Sequence, residues 1–202
     1  MKVHDLDFKK FRWFFTSSGR LVIGGKSAES NESIIRVAPR DSIIMHTEQP
    51  GSPFCVIMMR NPKGFCHAGK PCFPSMDENP TDKDMKEAAI FCGCLSKAWK
   101  AKKKEAEVHV FTKEAVFKEK FMKTGTFGVR GSLKRMNVKL KLYLTFQEEK
   151  LRAVPFETNI ASIIPGSMKK EQAAEEISKK LKIKKEEALS ALPSDNIDIT
   201  WF

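Results

Sequence analysis

The sequence predicts an α/β (α+β) domain with a mixed, mainly antiparallel sheet, two main helices and a small C-terminal helical appendage. Short apolar runs separated by turn residues indicate strands that are close in sequence. Longer segments show helical periodicity, with their apolar residues on one face. Hydrophobic residues make up 41% and charged residues 30% of the 202 residues, a globular composition in a chain long enough for one well-packed domain.

The first elements are a hairpin and a helix. A strand rich in aromatic residues, a Ser-Ser-Gly-Arg turn and an apolar return strand occupy residues 11–23. A pair of glycines ends the return strand, and Ser27 or the residue before it can cap a helix. We place this helix at about residues 28–37.

The middle of the chain alternates between core strands, loops and a helix. Two short apolar runs, residues 42–46 and 54–59, predict core strands. Residues 60–82 are crowded with Pro, Gly and Asn, which predicts a long loop or insertion. A helix and two strands follow, and they are predicted at residues 84–103, 108–111 and 138–146.

The C-terminal part contains two amphipathic segments, MKKEQAAEEISKKLKI and KKEEALSAL, which predict two helices. We therefore expect a main domain over residues 1–160, which includes the insertion at 60–82. Residues 161–202 are expected to form a small helical C-terminal extension.

Positive charge is the strongest compositional signal. The formal net charge is +11, and residues 97–141 contain fourteen Lys and Arg against four Glu. Such a block suits a polyanion, because each phosphate that Lys or Arg neutralises releases counterions. The other interpretation, a solvated lysine-rich face, remains open.

The chain is expected to be soluble and cytoplasmic, without a membrane partner. No stretch approaches the roughly 18–20 apolar residues that a spanning helix needs. The N-terminal residues include acids where a signal peptide has its apolar core. Five cysteines, an odd number scattered through the chain, indicate reduced thiols rather than a disulfide framework.

The Gly-Gly-Lys junction after the second strand is a candidate phosphate site. Gly25 permits a tight turn, and Lys26 stands at the start of a helix, where free N–H groups favour anions. A purely structural turn is the alternative. Asn31 and Glu32 follow on the first turns of the helix, where they can cap, cross-link to a loop or face a ligand.

A second candidate lies in the segment KTGTFGVRGSLKRMN. It places Lys123, Arg130, Lys134 and Arg135 around three glycines and Phe127. Guanidinium groups, backbone N–H groups and a stacking ring can together contact a phosphodiester chain. A surface hairpin with solvated charges is the alternative.

Catalytic and metal sites are not predicted. His46, with Asp41 five residues before it, has no nucleophile assigned to it by spacing. Zinc sites usually show a C-x(2–4)-C knuckle, whereas the cysteines here are spaced C-x5-C and C-x-C. We therefore expect no metal and no cofactor; the cysteines in question are Cys66, Cys72, Cys92 and Cys94, with His67 beside the first.

Four stretches in order resemble the NFACT-R domain, which occurs at the end of NFACT-type ribosome quality-control factors and as stand-alone proteins. They are FRWFFTSSGRLVIGGKSAESNE, DSIIMHTEQPGSPFCVIM, EAAIFCGCLSKAWKAKK and KTGTFGVRGSLKRMN. The last departs from the family, because Arg-Gly-Ser-Leu-Lys-Arg stands where full-length factors tend to have Arg-Gly-Lys-Lys. The resemblance implies an α/β domain that contacts structured RNA, such as tRNA or ribosomal RNA. It also draws attention to Asp41, Trp99 and Gly131.

The prediction is thus a non-catalytic RNA-binding protein, with RNA as its partner and the ribosome as a further candidate partner. The predicted nucleic-acid-binding residues are Gly25, Lys26, Asn31, Glu32, His46, Lys97, Lys100, Arg130, Lys134 and Arg135. Two alternatives stay open: an RNA-processing or RNA-modifying enzyme that uses His46, Glu32 and Asp41, and a DNA-binding or adaptor protein. The sequence indicates neither the oligomeric state nor the pathway.

Overall fold

A computed structural model describes residues 7–49, 51–59, 79–131 and 134–202. Residues 60–78 of the predicted insertion at 60–82 lie outside the described residues, and so do Cys66, His67 and Cys72 within them. None of the described helices is long and apolar enough to cross a bilayer.

The described residues form strands and helices in the following chain order. The strands are β1 (Arg12–Phe15), β2 (Leu21–Gly24), β3 (Ile43–Thr47), β4 (Cys55–Ile57), β5 (Glu105–Thr112), β6 (Val116–Phe117), β7 (Gly128–Val129), β8 (Lys134–Lys139), β9 (Leu142–Gln147), β10 (Lys150–Val154), β11 (Ala161–Met168) and β12 (Ile197–Trp201). The α-helices are α1 (Ala28–Val37), α2 (Asp82–Cys94), α3 (Lys97–Lys100), α4 (Lys170–Leu181) and α5 (Lys185–Ala191). Single 3₁₀ turns occur at Phe8–Lys10 and Lys113–Ala115.

A six-stranded antiparallel sheet, in the order β1-β2-β4-β3-β5-β8, carries a helix on each face. Side chains alternate between the two faces along each strand. Ile44 and Phe111 therefore cluster with Ile34 of α1 on one face. On the other face, Met45 clusters with Phe91 of α2. The predicted mixed, mainly antiparallel α+β fold is confirmed.

The hairpin and the first helix form as the local sequence predicts. Ser27 caps α1, since its Oγ accepts the Ser30 amide at 3.3 Å while Ser30 Oγ accepts the Ser27 amide at 2.7 Å. This reciprocal arrangement satisfies donors that the first helical turn leaves free. The helix ends at Val37, before Pro39.

The single helix predicted at residues 84–103 is wrong, because the segment forms two helices with a break at Leu95–Ser96. Ser96 Oγ donates to the Gly93 carbonyl at 2.7 Å and accepts the Ala98 amide at 3.1 Å, so this serine starts a new helix. The break places Lys97 and Lys100 on a separate short helix, α3.

The single strand predicted at residues 138–146 is also wrong. β8 belongs to the six-stranded sheet and β9 to a second sheet, and the chain passes between them at residues 140–141. The Leu140 amide donates to the Lys104 carbonyl at 2.8 Å, and the Leu140 side chain is buried. The apolar alternation continues through the break, so the local pattern does not reveal it.

The second sheet corrects the purely helical expectation for residues 161–202. Its order is β10-β9-β11-β12, so two of its strands lie in that segment beside α4 and α5, and two precede the predicted boundary at residue 160. One hydrophobic cluster contains residues of both sheets, from Phe14 to Ile197. The two sheets are further joined at Phe15, whose N–H and C=O bond the buried Gln147 amide at 2.8 Å each.

Candidate nucleic-acid interface

A groove of about 1210 Å³ lies at the end of the six-stranded sheet where β2 ends and β4 begins. Its lining comes from the start of α1, from β3 and β5, from α3, from the loop before β7, and from the start of α4. Six of the ten predicted binding residues line it: Gly25, Lys26, Asn31, His46, Lys97 and Lys100.

Aromatic rings form part of this groove. The His46 ring packs on Phe54 with 4.4 Å between centroids, and its Nε2–H donates to the Ser52 carbonyl at 3.0 Å. Phe127 meets Phe54 edge-to-face at 5.4 Å. Burial lowers the pKa of His46, so its imidazole is neutral at pH 7. The groove therefore offers uncharged rings next to its cations.

Gly25 is required by packing, because a Cβ at this position would stand 1.9 Å from Asn31 Oδ1. That oxygen accepts the Phe54 amide at 3.1 Å, while the Gly25 amide donates to the Phe54 carbonyl at 3.0 Å. Asn31 is itself buried. The glycine and the amide thus hold the start of β4 against α1 and fix Phe54 in the groove.

Glu32 anchors the opposite wall. Its Oε2 accepts a hydrogen bond from Lys118 Nζ at 2.8 Å and another from the Gly125 amide at 2.9 Å. The bond from Lys118, followed by the bond from Gly125, lowers the pKa of Glu32. Lys118 also stands 4.9 Å from the centre of the Phe127 ring. Glu32 therefore positions the loop that carries Phe127.

The glycines of that loop permit close packing. Gly125 has φ +75°, and a Cβ there would come within 2.7 Å of Ala28 Cα at the start of α1. A Cβ on Gly128 would meet the Phe117 ring at 2.2 Å. The predicted glycine-rich segment is therefore built against α1 rather than extended into solvent.

The start of α1 uses its own amides. Ser30 Oγ accepts from the Lys26 amide at 2.7 Å as well as from Ser27, so these N–H groups already have a partner. The Lys26 side chain lines the groove, and partial burial, then Arg12 and Arg152, lower its pKa. The charge of Lys26, more than the backbone of the helix start, is what the junction offers an anion.

Sequence reasoning missed two cations of the groove, Arg12 and Lys170. Arg12 opens β1, and its Nη1 donates to the Pro193 carbonyl at 2.6 Å. Lys170 is the first residue of α4, and its amide donates to Asp195 Oδ1 at 3.1 Å. Burial, followed by Arg12, lowers the pKa of Lys170 to about 8. Lys170 lies in a helix of mixed charge and Arg12 stands among aromatic residues, so neither belongs to the positive block at residues 97–141 that drew attention in the sequence.

Lys97 and Lys100 reach the groove because α3 turns there. Lys97 reaches the loop between β3 and β4: its Nζ lies 3.0 Å from the position that a Cβ on Gly51 would occupy. The Lys100 carbonyl accepts from Asn196 Nδ2 at 2.8 Å, which ties α3 to the segment before β12. Trp99, between these lysines, is fully buried and belongs to the core.

The remaining predicted cations do not line the groove. Arg130 is exposed, with its guanidinium 4.4 Å from the centre of the Phe117 ring. Arg135 pairs in register with His109, which pairs with His46, so it lies on the groove face but beyond the groove. Lys134 precedes Arg135 in β8 and projects to the opposite face, with Val110. Gly131 is exposed, with φ +87°.

The residues of the catalytic alternative are not assembled. Glu32 is held by Lys118 and Gly125, and Asp41 is exposed before β3, while His46 lies near the far end of that strand. Among the described residues no group of three or more His, Cys, Asp or Glu could hold a metal ion. Cys92 and Cys94 are buried in α2 as free thiols.

The family model described as the NFACT protein RNA binding domain matches residues 10–131, more than half of the chain. The chain belongs to this family. The matched NFACT segment contains all the strands and helices of the groove except the start of α4 and residues 193–195.

Several NFACT relatives are much longer than this chain. The ribosome quality control complex subunit NEMF of Homo sapiens is 32% identical over 130 residues, which are 61% of this chain and 10% of NEMF. The NEMF homolog of Drosophila melanogaster is 28% identical over 210 residues, covering 96% of this chain and 20% of that protein. The archaeal Rqc2 homolog aRqcH of Methanocaldococcus jannaschii is 31% identical over 129 residues, 61% of this chain and 17% of aRqcH.

A solved structure shares the NFACT fold seen here. The C-terminal part of the fibronectin/fibrinogen-binding protein from Streptococcus suis superposes with a TM-score of 0.50 and 18% sequence identity. The superposition covers 63% of this chain and 44% of that one. At this level of identity the similarity is one of fold.

Proposed function

We propose that this protein binds structured RNA, tRNA or ribosomal RNA, non-catalytically in the groove. The observation that carries the proposal is that cations from five separate positions converge on a groove that also holds uncharged aromatic rings. Membership of the NFACT RNA binding domain family supports RNA as the polyanion.

The cations would contact phosphates. Five of them line the groove against three carboxylates: Arg12, Lys26, Lys97, Lys100 and Lys170, opposed by Glu48, Glu171 and Asp195. His46 adds no charge, because burial lowers its pKa. Cations therefore outnumber carboxylates in the groove. They lie along its walls, whereas its aromatic rings carry no charge. Phosphate contacts of this kind position a strand without reading its sequence.

The rings would contact bases. His46 and Phe127 are half-buried, so each keeps a part of its surface open, and Phe54 is buried beneath them. Single-stranded loops of structured RNA present unstacked bases that pack on such rings. A base in this place would be flanked by Lys97 on one wall and by the loop fixed through Glu32 on the other.

Asn31 and Glu32 act as scaffold in this proposal. They hold the two walls through Phe54 and through Gly125, and neither has to touch the ligand. Arg135 would contact RNA that leaves the groove along the row of His46 and His109. Arg130 and Lys134 are exposed and would contribute only to the surrounding field.

The relatives suggest the setting of this binding. Proteins named as ribosome quality control complex subunits, and their homologs, contain a similar segment. We therefore propose that the RNA belongs to the translation machinery, with the ribosome as a candidate partner.

A salt series tests the proposal. We would measure binding of fluorescent tRNA, a ribosomal RNA fragment and duplex DNA by anisotropy at several salt concentrations. The logarithm of the affinity should fall linearly with the logarithm of the salt concentration. A double variant, Lys97→Gln with Lys100→Gln, should reduce the slope by about 2, one for each lost phosphate contact.

Lys103→Gln with Lys104→Gln is the matched control. These lysines are exposed, they lie in the same segment, and they do not line the groove. The control should change the slope less than the groove variant does. Equal losses from both pairs would show that the groove is not the binding site. A slope near zero would contradict phosphate contacts altogether, and tighter binding of duplex DNA would favour the DNA-binding alternative.

A further inference from the structure

Four cations crowd the end of the groove where the C-terminal part meets β1. We call them the cationic corner: Arg12, Lys26, Arg152 and Lys170. Arg12, Lys26 and Lys170 line the groove, while Arg12, Lys26 and Arg152 line an adjoining cavity of about 50 Å³. The corner therefore connects a large groove with a small cavity beside it.

Neutral groups hold the two arginines of the corner. Arg12 donates to the Pro193 carbonyl at 2.6 Å, and the Arg152 guanidinium stacks 4.0 Å from the centre of the Trp13 ring. Within the residues that the structure describes, no carboxylate lies within 4.0 Å of a cationic nitrogen of the corner. Asp195 and Glu171 near Lys170, and Glu187 near Arg152, act from a greater distance.

The corner is consequently under electrostatic stress. Burial lowers the pKa of Arg152 to about 10 and, together with Arg12 and Lys26, that of Lys170 to about 8. Like charges that are partly removed from water disfavour one another's charged forms. An anion that enters this corner offsets the repulsion among its cations. Relief of that repulsion adds to the affinity for the anion.

We propose that the cationic corner binds a phosphate monoester, the terminal phosphate of an RNA strand that lies in the groove. The proposal rests on the proposed function. A monoester carries about −1.5 to −2 charges at pH 7 and three strong acceptor oxygens, whereas an internal phosphodiester carries one charge. Several crowded cations, two of them guanidinium groups suited to bidentate contacts, match the monoester better.

The shape of the corner agrees with an end group. The adjoining cavity is bounded by Trp13, Phe91 and Leu95 among other residues, and its volume of about 50 Å³ has no room for a continuing nucleotide chain. The strand would therefore begin or end here and run along the groove toward Lys97 and Lys100.

The C-terminal part supplies half of the corner. Arg152 and Lys170 both lie beyond residues 10–131, the segment that matches the family model. Arg12 is held by Pro193 of the same C-terminal part. End recognition would thus be an addition to the groove that the matched segment forms.

The test compares RNA oligonucleotides of one sequence with a 5′ phosphate, a 3′ phosphate or hydroxyl ends. One of the phosphorylated ends should bind roughly tenfold more tightly than the hydroxyl form, as expected for new charge-assisted contacts. Lys170→Gln should abolish this preference. Lys86→Gln, the same change on the exposed face of α2 away from the groove, should retain it.

Lys26→Gln provides an independent variant if Lys170→Gln lowers the melting temperature substantially, because the Lys26 side chain is exposed. It should weaken the preference as well. Equal affinity for all three ends overturns the monoester site but leaves RNA binding in the groove intact. Failure of every RNA to bind overturns the proposed function itself. Inorganic phosphate is used as a competitor. If its affinity equals that of the phosphorylated oligonucleotide, the corner binds free phosphate and the RNA-end proposal is wrong.

Discussion

The lysine-rich block at residues 97–141 and the cationic corner carry positive charge in opposite ways. The block is dense in sequence, yet only Lys97 and Lys100 of its fourteen cations line the groove. The corner gathers four cations whose consecutive members are separated by 14, 126 and 18 positions along the chain. Charge density along a chain is therefore a poor measure of charge density in space.

The physical reason is visible in the block itself. Neighbouring residues of a strand face opposite sides, so Lys134 and Arg135 separate across the sheet. Other cations of the block have partners within the protein. Lys118 binds Glu32 at 2.8 Å, and Arg135 lies 3.7 Å from Glu107. The corner, in contrast, keeps its cations without close carboxylates among the described residues, and it is the better candidate for ligand binding.

The largest expected effect comes from Gly25, the residue before Lys26 of the corner, compared with Gly131 of the block. Gly25→Ala places a Cβ against Asn31 Oδ1 and should displace the hydrogen bond to Phe54, with a loss of roughly 2–4 kcal/mol in the free energy of unfolding. Gly131→Asn is the control in the block. Its φ of +87° strains any side chain, Asn less than most, but nothing lies within 4 Å of the new Cβ, so its loss should be smaller than that of Gly25→Ala. Urea unfolding measures both. Similar losses would show that Gly25 is not a packing position.

Charge removal compares the regions directly. Lys26→Gln with Lys170→Gln should weaken RNA binding by roughly tenfold or more, since both cations face the groove. Lys104→Gln with Lys139→Gln removes the same charge from exposed positions of the block, and the loss should be smaller. Anisotropy at one fixed salt concentration gives the comparison. A greater loss from the block pair would reverse the ranking of the two regions.

Glu32→Ala should release the loop that connects the block to the groove. The variant loses the acceptor of Lys118 and of the Gly125 amide, and the free energy of unfolding should fall by about 1 kcal/mol. The folded-state pKa of Glu32 is lowered, so its contribution is present above the unfolded-state pKa and is lost as pH falls through the folded-state value. The difference between wild type and Glu32→Ala should therefore shrink below about pH 4. A constant difference from pH 7 to pH 3 would contradict the ionic role.

The smallest effect concerns Lys170, and here the substitution should stabilise the protein rather than destabilise it. Its pKa in the folded protein, about 8, lies below the ordinary value of 10.5, so the unfolded chain binds more protons between these pH values. Stability contributed by this site should therefore rise as pH increases from 8 to 10. Lys170→Met should raise the melting temperature at pH 7 by a few degrees, roughly, and the gain should vanish near pH 10.

Arg12, Lys26, Glu171 and Asp195 surround Lys170 and remain in the variant, so differential scanning calorimetry isolates the titration of this one lysine. A variant that is less stable than wild type at pH 7 would show that Lys170 is not repelled in the free protein.

Local sequence was sufficient for the elements that depend on near neighbours. The hairpin of β1 and β2 follows from its turn residues, and α1 follows from its serine cap and its apolar face. Gly25 and Lys26 of the groove were found because they lie between β2 and α1, and His46 because it ends the apolar run that predicts β3. The second sheet was missed, because residues 161–168 do not show a clear alternation and contain Pro165 and Gly166.

The sequence by itself determined the α+β fold class, the first helix, the excess of positive charge and the family to which the chain belongs. The tertiary structure alone decided which cations meet: it broke the predicted helix at Ser96, separated β8 from β9, and brought α4 and Pro193 against Arg12. Caps and turns act over a few residues, whereas the meeting of charges depends on long-range packing. That packing is set by the shared core of the two sheets, which no short stretch of the chain encodes.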